Sequence, residues 1–143
     1  IRPFQIGDYG QWRPLWDGYL TFYESNLEDS TTDHLWKVLV DQEGPMFGLG
    51  AFRGIALLGI THYTFHASSW TPGVYCYLED LFTDPSMRGR GTGTALIAAV
   101  AEKARNQNAA RLYWNTQNNN AAARSVYDKL AKEAGFVQYR MAL

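Results

Sequence analysis

The chain has 143 residues, of which 46% are hydrophobic and 19% charged, and its formal net charge at pH 7 is −1. These values fit one globular domain over residues 1–143, without the overall basic charge that nucleic-acid-binding domains carry. One cysteine excludes an internal disulfide, and no apolar run approaches the roughly 20 residues of a membrane span. We therefore expect a cytoplasmic protein with no nucleic-acid or membrane partner; a leader removed before Ile1 stays an open alternative.

The first half of the chain predicts a short strand, two helices and then three strands. Hydrophobic residues recur at helical spacing after Asp8, which can cap the first helix, and again after Ser30. Strand-forming residues follow the break at Gly44-Pro45. The predicted bounds are Ile1–Phe4, Asp8–Tyr23, Ser30–Val40, Met46–Phe52, Ile55–Phe65 and Val74–Thr83, with turns at Arg53-Gly54 and Thr71-Pro72-Gly73.

The second half predicts a helix, a strand, a helix and a final strand. Their predicted bounds are Thr94–Gln107, Arg111–Thr116, Ala121–Ala134 and Phe136–Ala142. The whole order is β-α-α-β-β-β-α-β-α-β, without repeats or linkers. Helices interspersed with strands in this way predict a mixed α/β domain.

The two halves of the chain differ in charge. Residues 1–84 hold eleven carboxylates against four Lys or Arg, whereas residues 85–143 hold three against nine. A protein that joins a polyanionic cofactor to a cationic substrate gains from such a division. The alternative is a fluctuation in composition that the fold mixes again.

Three glycines alternate with arginine and threonine in Arg88-Gly-Arg-Gly-Thr-Gly93, directly before a predicted helix. Glycine lets backbone N–H groups approach an anion, and a helix N-terminus adds unpaired donors. The pattern indicates an anion site, with a plain glycine-rich turn as the alternative. It is not a P-loop, because Gly93 precedes Thr94-Ala95, and it is not a dinucleotide fingerprint, because Leu96 stands where Gly or Ala is needed.

Three segments of the chain resemble the GNAT superfamily of N-acetyltransferases. Arg88-x-x-Gly91-x-Gly93 resembles its coenzyme A signature, and Tyr77–Thr83 resembles its fourth strand, particularly in polyamine- and thialysine-type members. Asn120-x-x-Ala123-x-x-x-Tyr127-x-Lys129 resembles the motif on its last helix. The resemblance implies the GNAT acyl-CoA N-acyltransferase fold, an α/β domain with a mixed, mostly antiparallel central sheet and helices on both faces, and it implies a homodimer.

The resemblance also implies acetyl-CoA as co-substrate. No metal is expected, because the sequence offers no evident cluster of metal ligands. The resemblance assigns coenzyme A binding to strand residues, to the glycine-rich loop and to the last helix. The strand residues are Leu81, Phe82 and Thr83; the loop residues are Arg88, Gly89, Arg90, Gly91, Thr92 and Gly93; the helix residues are Asn120, Ala123 and Tyr127. One departure from the family pattern lies at Gly135-Phe136, which comes about one helical turn late, so we expect a longer last helix.

Two side chains are predicted to carry the proton transfers. Presenting a lysine-like amine of pKa about 10.4 in its neutral form at pH 7 costs roughly 4–5 kcal/mol, so a base is needed. Glu79 is the first choice, because regular extension places Asp80 with Leu78 and Phe82 on the other face. The resemblance also implies a β-bulge in this strand, which can re-aim a side chain, so whether Glu79 or Asp80 faces the cleft stays open. The alternative for Glu79 is a solvated or structurally paired carboxylate. Tyr127 is the predicted acid that protonates the departing thiolate, with a core tyrosine as the alternative.

The acceptor predicted from the resemblance and the charge division is a small, cationic primary amine, polyamine- or lysine-like. A protein lysine or N-terminus is the alternative acceptor, and a non-catalytic acyl-CoA sensor is the alternative function. His62 and His66 are predicted to be structural or surface residues, because four strand residues span about 13 Å, too far for one metal ion. We predict a packing role for Cys76. The aromatic residues of the first two helices are predicted first of all to lie in the core, and the resemblance implies the wall of the acceptor cleft as their alternative place.

Overall fold

The computed structural model describes residues 1–143 as four helices and five strands. The strands are β1 (Arg2–Pro3), β2 (Met46–Arg53), β3 (Ala56–Ser68), β4 (Thr71–Thr83) and β5 (Arg111–Trp114). The helices are α1 (Tyr9–Phe22), α2 (Asp29–Asp41), α3 (Thr92–Asn106) and α4 (Ala121–Tyr127). None of the helices combines the length and the hydropathy that a membrane span requires.

The five strands form one mixed sheet in the order β1-β2-β3-β4-β5. Successive strands from β1 to β4 pair antiparallel, because short turns join β2, β3 and β4 as neighbours. Strand β5 pairs parallel to β4, since α3 carries the chain back across the sheet between them. The predicted mixed, mostly antiparallel sheet is confirmed.

Helices cover both faces of this sheet and bury two separate hydrophobic cores. On one face α1 and α2 pack their tryptophans against the sheet, in a core of Phe4, Trp12, Leu15, Trp16, Trp36, Leu39, Leu57, Ile60 and Phe82. On the other face α3 packs its apolar stripe in a core of Leu49, Ala51, Tyr63, Cys76, Leu78, Leu96, Ile97, Val100 and Ala104. The apolar residues of both helix systems recur at helical spacing, which is why they line single faces.

Strand β4 contributes to both cores because it carries a β-bulge. His62 lies opposite Asp80 and Tyr63 lies opposite Leu78, which leaves Glu79 as an extra residue between two paired positions. Leu78 consequently belongs to the α3 core and Phe82 to the α1 and α2 core. Regular extension, which would place Leu78, Asp80 and Phe82 on one face, is therefore wrong, and the bulge that the family resemblance implied is confirmed.

The structure departs most from the sequence-based prediction after Tyr127. Helix α4 ends there, so the expected longer helix to Ala134 is wrong, and no strand forms over Phe136–Ala142. The large apolar side chains of this segment are exposed, Phe136 by 89% and Tyr139 by 91%. Alternating apolar residues predict a strand, but a strand also needs a neighbouring edge to pair with, and this segment pairs with none.

Two further predictions are wrong in detail: the side-chain cap of α1 and the position of the turn between β3 and β4. Asp8 does not cap α1 with its side chain; its carboxylate accepts from Arg2 at 2.7 Å and from the Gln5 N–H at 2.8 Å. The hairpin between β3 and β4 turns at Ser69-Trp70, and Thr71 already belongs to β4. The predicted turn at Thr71-Pro72-Gly73 is therefore displaced by two residues.

The first prediction concerns two glycines that differ in the space around them. A Cβ on Gly48 lies 2.5 Å from the ring of the fully buried Phe4, whereas a Cβ on Gly10, in α1, meets nothing within 4 Å. Gly48→Ala should lower the free energy of unfolding by about 1–3 kcal/mol, because it overpacks the core. Gly10→Ala should raise it by about 0.5–1 kcal/mol through helix propensity. Urea unfolding measures both values, and equal effects in the two variants would contradict the close packing of Phe4 against Gly48.

Candidate functional site

Strand β4 extends beyond its neighbour β5 at one end of the sheet. The parallel pairing runs from Tyr75 opposite Arg111 to Leu78 opposite Trp114 and stops there. Strand β4 continues to Thr83, paired to β3 alone. The backbone of residues 79–83 consequently has no strand partner on its β5 side, and an extended ligand could pair with it as an added strand.

The glycine-rich loop after β4 leads directly into α3. Gly89 and Gly91 adopt positive φ values of 72° and 81°, which side chains other than glycine's disfavour. Gly91 is the N-cap of α3, and no side chain caps this end of the helix. The N–H groups of its first turn therefore stay available to an anion, at the positive end of the helix dipole.

The acidic side chain of the loop is engaged in hydrogen bonds within the loop, whereas the basic side chains are exposed. Asp84 accepts hydrogen bonds from the Ser86 N–H at 2.8 Å and the Ser86 hydroxyl at 2.6 Å, and this contact lowers the pKa of Asp84. Arg88 donates through Nε to the Thr83 carbonyl at 3.3 Å, and both Arg88 and Arg90 are exposed. With its carboxylate engaged by Ser86, the loop presents two guanidinium groups beside uncapped N–H groups, a combination suited to phosphate.

Glu79 is the bulged residue at the point where the β4–β5 pairing ends. Its side chain reaches solvent, yet surrounding protein displaces part of the carboxyl's hydration, which raises the pKa of Glu79. The neighbouring charge of Asp80 raises it further, whereas His62 and Arg140 act in the opposite direction. A carboxylate with a raised pKa is a stronger base than a free one.

Asp80 lies inside the protein, only 8% exposed, beside the fully buried His62. His62 Nδ1 is 2.9 Å from Asp80 Oδ2, and His62 Nε2 is 3.1 Å from Trp12 Nε1. The prediction of a structural carboxylate at Asp80 agrees with this pairing.

Tyr127 lies at the end of α4, where its ring packs edge-on against Trp114 with centroids 5.5 Å apart. Burial, with a smaller contribution from Tyr23, raises the pKa of Tyr127, so its phenol keeps its proton at neutral pH. Asn120 caps the same helix, accepting from the Ala123 N–H at 3.3 Å. Asn120, Ala123 and Tyr127 recur at helical spacing and share one face, as predicted.

The predicted strand residues are not equivalent. Leu81 packs against the α3 core and Thr83 is half-buried, both in the segment of β4 without a partner. Phe82 points the other way: its side chain is buried between the sheet and α1, so only its backbone lies along the unpaired edge.

Helix α1 contributes two phenols that were predicted first of all to lie in the core, with the wall of the acceptor cleft as the alternative. The rings of Tyr19 and Tyr23 pack at a tilt of 58°, with centroids 4.9 Å apart. Burial, followed by the charge of Asp80, raises the pKa of both phenols, and Tyr23 also acts on Tyr127. The end of α1 therefore faces the same region as Glu79 and Tyr127. Their four-residue spacing was visible in the sequence, but it is equally typical of a core stripe.

The other polar residues singled out in the sequence have structural partners. His66 Nε2 lies 2.7 Å from the Tyr113 hydroxyl. Cys76 is fully buried, and burial raises the pKa of its thiol to about 11. No group of three or more His, Cys, Asp or Glu side chains is arranged to hold a metal ion.

Comparisons with known proteins agree on one family. The family model described as "Acetyltransferase (GNAT) family" matches residues 12–131. The D-amino-acid N-acetyltransferase of Saccharomyces cerevisiae is 27% identical over 98% of this chain and 88% of its own length. The thialysine N-epsilon-acetyltransferase of Mus musculus is 33% identical over 64% of this chain, and the match spans 56% of the mouse protein. The ribosomal-protein-alanine N-acetyltransferase structure from Brucella melitensis superposes with a TM-score of 0.80 at 20% identity, over 99% of this chain and 98% of that one.

The second prediction separates two glycines of the loop by their backbone conformation. Gly91→Ala should lower the free energy of unfolding by roughly 1–2 kcal/mol, because alanine is strained at a φ of 81°. Gly93 lies inside the first turn of α3, and its added Cβ would meet Thr83 Oγ1 at 3.8 Å, an ordinary contact. Gly93→Ala should raise stability by up to about 1 kcal/mol. Urea unfolding of the two variants checks this; a loss at Gly93 as large as that at Gly91 would contradict the loop geometry.

Proposed function

This chain belongs to the GNAT acetyltransferase family and is an acetyl-CoA-dependent N-acetyltransferase, and we propose that its acceptor is a primary amine of a small cationic molecule. The observation that carries the proposal is the position of Glu79. It is a bulged carboxylate at the junction between the unpaired edge of β4 and a region walled by the phenols of α1. Two substrates that meet at this junction would meet at a base.

We assign the coenzyme to the unpaired edge of β4 and to the loop that follows it. The uncapped N–H groups of α3, with Arg88 and Arg90, suit a pyrophosphate. The backbone of Leu81 and Thr83 suits the amides of a pantetheine arm, with Phe82 contributing only its backbone. Gly89, Gly91, Thr92 and Gly93 let the loop approach closely, and Asn120 and Ala123 lie on the face of α4 that carries Tyr127. Acetyl-CoA supplies the activated thioester.

Glu79 and Tyr127 are the proposed base and acid. Glu79 would take the proton that the acceptor's ammonium group must lose before its nitrogen can attack, directly or through a water, and the raised pKa of Glu79 makes it a better proton acceptor. Tyr127 would give its proton to the departing thiolate, and the burial that keeps the phenol protonated supports that role. The new bond is the amide between the acceptor nitrogen and the acetyl carbonyl, and the bond broken is the thioester.

The acceptor is proposed from the charges and from the relatives. Glu79 and Asp80 lie near the phenols of Tyr19 and Tyr23, a setting that favours a cationic group with an alkyl body. By their names, the yeast relative acts on D-amino acids and the mouse relative on thialysine. We therefore favour an amino-acid or polyamine amine over a protein lysine or N-terminus. The homodimer and the cytoplasmic location stay predictions.

The third prediction tests the activity and the acceptor together. Purified protein with acetyl-CoA should release free thiol in the presence of spermidine, lysine, thialysine or D-amino acids, and release it more slowly with a lysine peptide. Thiol detection and mass spectrometry of the acetylated product measure both. Thiol release with the peptide alone would overturn the small-molecule proposal. Tight coenzyme A binding with no release on any acceptor would favour a non-catalytic sensor instead.

The fourth prediction tests the acid. Tyr127→Phe removes one hydroxyl and should lower kcat by about 100-fold or more, because the thiolate then leaves unprotonated, while the Kd for coenzyme A changes little. Tyr9→Phe is the matched control: the Tyr9 phenol, at the start of α1, donates to the exposed Asp33 on α2, and the variant should keep full activity. Full activity in Tyr127→Phe would leave the residue only a packing role against Trp114.

A further inference from the structure

Three buried side chains, joined by hydrogen bonds, connect α1 to the strand that carries Glu79. None of them has a role in the proposed reaction. They are Trp12 on α1, His62 on β3 and Asp80 on β4. Trp12 and His62 are fully buried and Asp80 is 8% exposed. The Trp12 Nε1 to His62 Nε2 distance is 3.1 Å, and the His62 Nδ1 to Asp80 Oδ2 distance is 2.9 Å.

The direction of these hydrogen bonds determines where each proton lies. An indole N–H can only donate, so His62 Nε2 must accept and carries no proton. The proton of the neutral imidazole is then on Nδ1, which donates to Asp80 Oδ2. Asp80 is consequently an acceptor, and Trp12 holds the imidazole in the tautomer that keeps Asp80 a carboxylate.

The hydrogen bonds among Trp12, His62 and Asp80 also anchor the bulge. Asp80 is the residue that pairs across the sheet with His62, and Leu78, on the other side of Glu79, pairs with Tyr63 in the α3 core. Both neighbours of Glu79 are therefore held, each by a different core. The extra residue between them is directed out of the pairing, toward the end of the β4–β5 contact.

We propose that Trp12, His62 and Asp80 are positioning residues that orient Glu79 and hold a fixed negative charge directly behind it, making its carboxylate a stronger base. This inference rests on the proposed role of Glu79. Two successive carboxylates, one of them buried, repel each other through a medium that screens poorly. The cost of ionising Glu79 rises accordingly, and its conjugate acid holds the proton more firmly.

The other groups around Glu79 do not cancel this effect. The phenols of Tyr77 on β4, Tyr113 on β5 and Tyr19 on α1 have raised pKa values, burial being the largest cause for each, and are uncharged at neutral pH. Two cationic contributions would lower the Glu79 pKa. That of His62 requires a proton on both ring nitrogens, which the hydrogen bond from Trp12 excludes, and that of Arg140 is the smallest of the four causes. Burial and Asp80, which raise the pKa, come before His62 and Arg140, which lower it.

The experiment is a pH profile of kcat/KM for acetyl transfer, with a parallel NMR titration of the Glu79 side-chain carboxyl. A base with a raised pKa loses activity as the pH falls through that value, so removing the charge behind it should move this acid limb to lower pH. Asp80→Asn keeps the size of the side chain and an oxygen that can accept from His62. We expect both the acid limb and the Glu79 titration to move down by about one pH unit.

Two tryptophans on α1 provide a matched pair of variants. Trp12→Phe removes the donor to His62, so that Nε2 can take a proton and neutralise Asp80; the acid limb should again move to lower pH. Trp16→Phe removes another buried indole, whose N–H donates to Thr32 Oγ1 at 3.3 Å, and should leave the acid limb where it is. A merely structural role predicts that both variants lower the rate evenly at every pH.

The outcomes distinguish this inference from the proposed function. If Glu79→Gln keeps full activity, Glu79 is not the base, and the NMR titration of Glu79 in Asp80→Asn still tests the charge behind it. If Glu79→Gln is inactive but Asp80→Asn and Trp12→Phe leave the limb and the titration unmoved, the positioning inference is overturned. Should the variants fail to fold, nitrogen NMR of the unaltered protein decides: a proton on Nε2 of His62 would contradict the arrangement.

Discussion

The structure depends on one irregularity, the extra residue that β4 inserts at Glu79. A regular strand would turn Leu78 and Phe82 toward the same face, whereas the bulge sends Leu78 to the α3 core and Phe82 to the α1 and α2 core. Strand β4 can thus close two cores in succession. At the bulge β4 stops pairing with β5, whereas its pairing with β3 continues to Thr83. The candidate site lies along the edge of β4 that is left unpaired.

The bulge and the hydrogen bonds among Trp12, His62 and Asp80 depend on each other. A carboxylate inside a protein is tolerated only where hydrogen bonds replace its water, and His62 supplies one at the position that the bulged register places opposite Asp80. Shifting β4 by one residue would bring Glu79 into the core and leave His62 facing a different side chain. The register with Asp80 inside and Glu79 outside is therefore the one in which the buried polar groups are paired, and no buried side-chain polar atom lacks a partner.

The two ends of the site differ in electrostatic character for separate physical reasons. At the loop, the positive field comes from backbone geometry, the uncapped start of a 15-residue helix, reinforced by exposed arginines. At the other end, carboxylates lie beside phenols that burial keeps neutral. The charge division along the sequence is consistent with a protein that receives a polyanion at one end of β4 and a cationic amine beside it.

The sequence by itself determined the features that depend on neighbouring residues. The spacing of apolar residues predicted α1, α2, α3 and β2 to β4 to within a few residues, and the glycines of the loop and the Asn120-to-Tyr127 face could be read from their own segments. Because these features depend on local backbone geometry and helical or strand periodicity, the sequence pattern identifies them without the fold.

Only the tertiary structure decided which residues meet across long separations. Trp12 and His62 are 50 residues apart, and His62 and Asp80 are 18 apart, so neither contact leaves a local pattern. The residue pattern of β4 did not reveal the bulge, because a bulge is defined by pairing with β3; only the family resemblance implied it. The alternating segment after Ala134 forms no strand because pairing, too, requires a partner edge. Periodicity describes one segment alone, whereas register and burial belong to two segments together.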